Sequence, residues 1–125
     1  MIFVDTNILI DYLKGNKSII NKIGFNNICI NEIVLMELYQ GAKNKSDLAF
    51  IKKNLKGIKI VDMNSSIISL AKDILEEYNL SHNAKIYDCL IASTVLIYNL
   101  ELLTLNIKDF KYIEGIKLIK KDKIC

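Results

Sequence analysis

The chain begins Met1-Ile-Phe-Val-Asp-Thr-Asn-Ile-Leu-Ile10, an apolar run broken by three polar residues. Residues 1–4 are apolar without alternation, the pattern of a short strand buried on both faces. Asp5, Thr6 and Asn7 are helix-start residues, and Ile8, Leu9, Tyr12 and Leu13 follow at helical spacing before Gly15 stops the run. A buried strand that turns straight into a helix is half of a βαβ unit. Asp5 then stands at the carboxyl end of the strand, where parallel sheets bind ligands. A helix N-cap explains an acid at this position equally well.

The same alternation continues outward. Residues 28–30 read as a second buried strand, and Asn31 caps a helix carrying Ile33, Val34, Met36 and Leu38 up to Gly41. A more polar helix bears Leu48, Ile51 and Leu55 and ends near Gly57; residues 58–61 form a third strand. Ile67, Ile68, Ala71, Ile74, Leu75 and Tyr78 give a strong helical period, residues 80–85 a polar loop, and residues 86–98 a helix apolar nearly all round. Residues 102–105 and 116–119 are the fourth and fifth strands. The expected class is α/β: one domain over residues 1–125, with a central parallel sheet of four to five strands covered by helices on both faces.

Composition bounds the function. With 51% hydrophobic and 25% charged residues, 125 residues bury a core without a disulfide or structural metal. The cysteines Cys29, Cys89 and Cys125 are scattered, with no metal-binding spacing, which suits reduced thiols and a cytoplasmic location. The N-terminus lacks the pattern of a signal peptide, and no run is long enough for a membrane span. The formal charge of +3 comes with seventeen lysines and no arginine, so phosphate contacts fall to lysine, backbone amides or a metal ion. Lys14, Lys17, Lys22, Lys43, Lys45, Lys52 and Lys53 are candidates for a basic rim, or equally for solvated surface.

Most of the fourteen acids fall on polar faces or in caps. Glu37 and Asp88 do not. Glu37 lies on the apolar stripe of its helix, and Asp88 shares a side with Ala84, Ile91, Ala92 and Val95. For Asp88 a first-turn acid favoured by the helix dipole is a real competitor. Taken with Asp5, buried carboxylates without arginine partners point to an oxygen-rich site for Mg²⁺ or Mn²⁺; the lack of clustered His and Cys argues against zinc. Such an ion lowers the pKa of water, aligns it for in-line attack and stabilises charge on a phosphodiester. His82, the one histidine, falls in the expected polar loop, where nothing places it near a substrate.

These segments carry a family resemblance. VDTNILIDYL (residues 4–13), INEIVLMELYQGA (30–42) and YDCLIASTVLIYNLELLTLNIKDF (87–110), in this order, resemble PIN-domain nucleases, and more closely the VapC-type toxins of toxin–antitoxin pairs. The resemblance implies a Rossmann-like fold and Mg²⁺- or Mn²⁺-dependent endoribonuclease activity. Asp5, Glu37 and Asp88 match its metal-binding acids; Thr6 and Asn7 match the residues supporting Asp5, and Thr104 the threonine ending the fourth strand. Asn106 departs from the pattern, since many PIN domains have an aspartate there, and Asp109 is the acid that follows. The resemblance also implies a homodimer, an RNA substrate and a small antitoxin entering the groove, near which Leu9, Ile10, Tyr12, Leu13 and Tyr39 would offer apolar surface. Two other readings compete: a catalytically weak PIN domain acting as an RNA- or protein-binding module, motivated by Asn106, and a phosphoacceptor receiver domain, which would place its aspartate after the third strand.

Overall fold

The computed structural model describes residues 1–120, 122 and 124. Its centre is a five-stranded, wholly parallel sheet in the order β3-β2-β1-β4-β5, formed by Ile2–Val4 (β1), Ile28–Ile30 (β2), Lys59–Ile60 (β3), Glu101–Leu103 (β4) and Lys117–Ile119 (β5). Helices Thr6–Leu13 (α1), Ser18–Ile23 (α2), Glu32–Gln40 (α3), Lys45–Asn54 (α4), Ser65–His82 (α5) and Ile86–Ile97 (α6) connect and cover the strands. The expected architecture is present. Cys125 lies outside the described residues.

The centre of the sheet is dry. Phe3, Val4, Ile28, Ile30, Leu102 and Leu103 are fully buried, as continuous apolar strands require when both faces are covered. The core continues into α6, where Ile91 to Val95 are all buried, so the apolar-all-round helix does lie in the middle of the fold. Cys29 and Cys89 are buried free thiols, and burial pushes Cys29 up to about 11, which leaves it unreactive.

Chain order runs β1, β2, β3 to one side and then jumps back past β1 to β4 and β5. The switch point is therefore between β1 and β4, where a crevice opens at the carboxyl ends of the strands. The ladder registers Val4 against Leu103 and extends one step further, the Asp5 amide donating to the Leu103 carbonyl at 3.0 Å. This pins Asp5 and Thr104 to the two lips of the crevice. The same order rules out the receiver alternative: β3 is the sheet edge, and Asp62 after it is exposed.

A buried polar strut sets the helices around this crevice. Asn31 is wholly buried; its Oδ1 accepts from the Val34 amide at 3.2 Å and caps α3, while its Nδ2 donates to Thr94 Oγ1 at 2.9 Å. Thr94 in turn donates to the Leu90 carbonyl at 2.7 Å. The two helices that carry Glu37 and Asp88 are thus bolted together through one side chain.

Two expected element bounds need correction, and two short elements add to them. The polar stretch 80–85 is not a loop throughout: α5 continues to His82 and is stopped by Asn83 in the left-handed region at φ 56°. Residues 102–105 do not all form the fourth strand, since the ladder ends at Leu103 and Thr104 turns out of it. Helix α2 and the 3-10 turn Phe25–Asn27 were not expected from the sequence. Lys17 at the α2 N-cap makes no side-chain capping bond, so the usual start signal is missing.

Candidate active site

Asp5 is the hub. Its carboxylate is buried, yet both oxygens are hydrogen-bonded: Oδ1 accepts from the Thr6 amide at 2.7 Å and from the Tyr87 hydroxyl at 3.0 Å, and Oδ2 accepts from Thr104 Oγ1 at 2.7 Å. Asp5 is also the N-cap of α1, so cap and cluster centre are one residue rather than alternatives. Three donors satisfy the carboxylate without a salt bridge. Thr6 is buried beside it, its hydroxyl hydrogen-bonded to Tyr87, and Asn7 is half-buried in the first turn of α1.

The Asp5 charge reaches two further acids, Asp88 and Glu37. Asp88 is half-buried in the first turn of α6, and its carboxyl is pushed up to about 6 by burial first, then by the charges of Asp109, Asp5 and Glu37, with Lys85 pulling weakly the other way. A solvated first-turn acid favoured by a helix dipole would be held low instead. Glu37 corrects the expectation of burial: it is exposed and lines the groove wall, although partial desolvation there and then the Asp5 charge raise its carboxyl. Asp109 is half-buried in the 3-10 turn Ile107–Asp109, within the field of Asp88. Asn106 precedes that turn, and its amide donates to Thr104 Oγ1 at 3.0 Å. One threonine hydroxyl therefore links Asp5 to the segment carrying Asn106 and Asp109.

Tyr87 is the residue that sequence reasoning missed. Burial first and the Asp5 charge second raise its hydroxyl far above the ordinary range, so it stays protonated and donates to Asp5. Its place next to Asp88, in the first turn of an apolar helix, was the available signal, but a tyrosine there reads as core.

A groove of about 730 Å³ runs alongside, lined in part by Ile10, Leu13, Glu37, Phe50, Lys14 and Lys43. Of the expected apolar contributors Ile10 and Leu13 line it; Leu9 is instead wholly buried core. Tyr12 lies tilted beside Phe25 and under Lys17, and Tyr39 lies under Lys52.

Asp5 and Thr104 stand at the sheet's switch point, with Glu37 on α3 and Asp88 on α6, an order of elements shared with a known family. The PIN domain family model matches residues 2–116. The chain belongs to the PIN domain family. Among its relatives, Ribonuclease VapC2 of Methanocaldococcus jannaschii is 30% identical over an alignment covering 95% of this chain and 93% of that protein. Ribonuclease VapC1 of Rickettsia felis is 29% identical, with 94% of each chain covered. Among solved structures, a DNA-bound VapBC complex from Salmonella typhimurium contains a chain that superposes on this PIN domain with a TM-score of 0.83 at 25% identity, covering 96% and 97% of the two chains. The likeness is thus to VapC-type PIN domains along the whole sheet.

The donor set of this PIN domain fits a hard divalent cation held in an open site. Among the described residues no three acidic, histidine or cysteine side chains stand as a ready-made cage for one ion. Mg²⁺ does not require one, since it keeps several waters and takes one or two carboxylates together with substrate phosphate oxygens. All the nearby donors are oxygens, and burial first and neighbouring carboxylate charge second raise Asp88 and Glu37, both of which an added cation would offset.

Proposed function

We propose that this PIN domain is a metal-dependent endoribonuclease that cuts RNA phosphodiester bonds, the toxin half of a VapBC-like pair. The observation that carries the reading is the buried, triply hydrogen-bonded Asp5 carboxylate, whose charge reaches Asp88 and Glu37, with Asp109 acting on Asp88. Asp5 and Asp88 would hold Mg²⁺ or Mn²⁺, with Glu37 contributing directly or through water. When bound, the cation supplies electrostatic stabilisation of the phosphodiester and lowers the pKa of water.

The chain's own residues do the positioning. Thr6, Tyr87 and Thr104 fix the Asp5 carboxylate and leave acceptor capacity on Oδ2 for a cation. Asn106 and Asp109 close the far side: Asn106 offers an uncharged amide to water or to a phosphate oxygen, and Asp109 restores the negative charge that Asn106 lacks. Lys14 and Lys43 on the groove wall draw the RNA backbone in without reading its sequence.

The groove lined by Ile10, Leu13 and Phe50, with lysines at its edge, suits the C-terminal segment of a small antitoxin. VapBC complexes among the structural neighbours support that partner, and a homodimer is the expected assembly. No helix among the described residues is long and apolar enough to cross a membrane, in keeping with action in the cytoplasm.

The purified chain is expected to cut total cellular RNA with Mg²⁺ or Mn²⁺ and to stop cutting in EDTA. RNA binding without metal-stimulated turnover would overturn this reading in favour of the binding module. A finer prediction follows from Tyr87. Tyr87→Phe removes one donor from Asp5 and keeps the ring, so cleavage should fall about 10- to 100-fold and the Mg²⁺ concentration for half-maximal activity should rise. Unchanged metal dependence in Tyr87→Phe would show that Asp5 does not need this donor.

A further inference from the structure

His82 is not used by the chemistry above, yet it is not idle surface. It is the last residue of α5, it is exposed, and its ring stacks on Tyr112 with centroids 4.3 Å apart and planes 13° from parallel. Tyr78, one turn earlier on α5, meets both rings edge-on, at 5.7 Å from His82 and 5.0 Å from Tyr112. Tyr78 and Tyr112 are half-buried and pack against the core, so they are fixed and His82 is the outer member. A bond between Ser81 Oγ and His82 Nδ1 of 2.8 Å further restrains the imidazole.

The position of this stack gives it meaning. Tyr112 follows the turn that carries Asp109, and His82 ends α5 just before α6 opens with Asp88 in its first turn, so the stack borders the acidic segments; none of its rings lines the lysine-edged groove. Lys85, whose charge reaches Asp88, and Lys111, next to Tyr112, flank it. In a chain without arginine or tryptophan, the planar groups that can hold a nucleobase are tyrosine, phenylalanine and the one histidine. Single-stranded RNA is held by stacked rings beside lysines, a combination that tolerates any base because every base has a π-face.

We propose that the outer face of the His82–Tyr112 stack is a base-binding ledge, on which an unpaired nucleobase flanking the scissile phosphate of RNA stacks. The ledge rests on the ribonuclease reading of the adjacent acids. It selects single-stranded RNA over duplex, and it adds affinity without adding sequence preference.

The test uses the Asp5→Asn chain with Mg²⁺, so that RNA is bound and not cut. Its affinity for a random pool of single-stranded RNA of about ten nucleotides is compared with its affinity for an abasic ribose–phosphate strand of equal length. With His82 present the RNA should bind at least about 5-fold more tightly than the abasic strand. His82→Ala should remove most of that ratio while thermal melting shows the fold intact, and His82→Phe, which keeps a ring and loses hydrogen bonding, should retain it. A ratio unchanged in His82→Ala overturns the ledge, as does an equal loss in His82→Ala and His82→Phe. Metal-stimulated cleavage by the wild-type chain separates the two readings. Cleavage together with an unchanged ratio defeats the ledge alone; a His82-dependent ratio without cleavage supports the ledge and defeats the nuclease.

Discussion

Asp5→Asn should leave a folded protein that cuts RNA at least about a hundredfold more slowly than the parent, since loss of a ligand exceeds the 10- to 100-fold typical of losing the partner that orients one. The fold survives for reasons visible in the hydrogen bonds. Asparagine Oδ1 still accepts from the Thr6 amide and the Tyr87 hydroxyl, so the cap of α1 is kept. The new Nδ2 faces Thr104 Oγ1, whose hydroxyl can rotate to accept. What disappears is charge. The carboxyls of Asp88 and Glu37 are both raised in part by Asp5, so both should titrate at lower pH in the variant, a shift readable by NMR. Full cleavage by purified Asp5→Asn protein would overturn the assignment, whatever its stability.

That expectation stands on the residue most legible in the sequence, and the reason is local. An apolar run followed by Asp-Thr-Asn encodes a buried strand, a turn and a helix start within ten residues, so Asp5 could be put at a strand end before any tertiary contact was known. Asn31 was legible in the same way as a cap, but its second bond, to Thr94, was not. Tyr87 meets Asp5 and Thr6 across more than eighty positions, and nothing local announces that meeting.

Glu37 shows a different failure. Periodicity correctly put it on the apolar stripe of α3, but period cannot tell a stripe that faces a core from one that faces a groove. His82 shows a third. Ser-His-Asn reads as a loop by composition, whereas α5 carries on until Asn83 takes the left-handed turn, and only then does His82 reach Tyr112. Short-range chemistry was readable; partners supplied by the fold were not.

Asp88→Asn should make the metal-free protein more stable, not less, at neutral pH. The folded Asp88 carboxyl takes up its proton near pH 6, against 3.8 for the free side chain. Between those values the folded chain holds a proton that the unfolded chain has released. Raising the pH therefore favours unfolding, and the stability present below about pH 4 is progressively lost as the pH rises through about 6. Asparagine has no such loss. Discounting for partial exposure and for sharing of charge among four acids, the gain at pH 7.5 in EDTA is about 2 kcal/mol, or roughly 5–10 °C in Tm, and it should vanish near pH 4. Adding Mg²⁺ should stabilise the parent and leave the variant nearly unmoved, because only the parent presents the Asp88 charge for the cation to neutralise. Cleavage should fall in the variant even as its melting temperature rises, the mark of a carboxylate kept for function at a cost to the fold. If Asp88→Asn instead melts below the parent in EDTA at pH 7.5, Asp88 is a first-turn acid serving the dipole of α6, and the electrostatic case for a four-acid site fails with it.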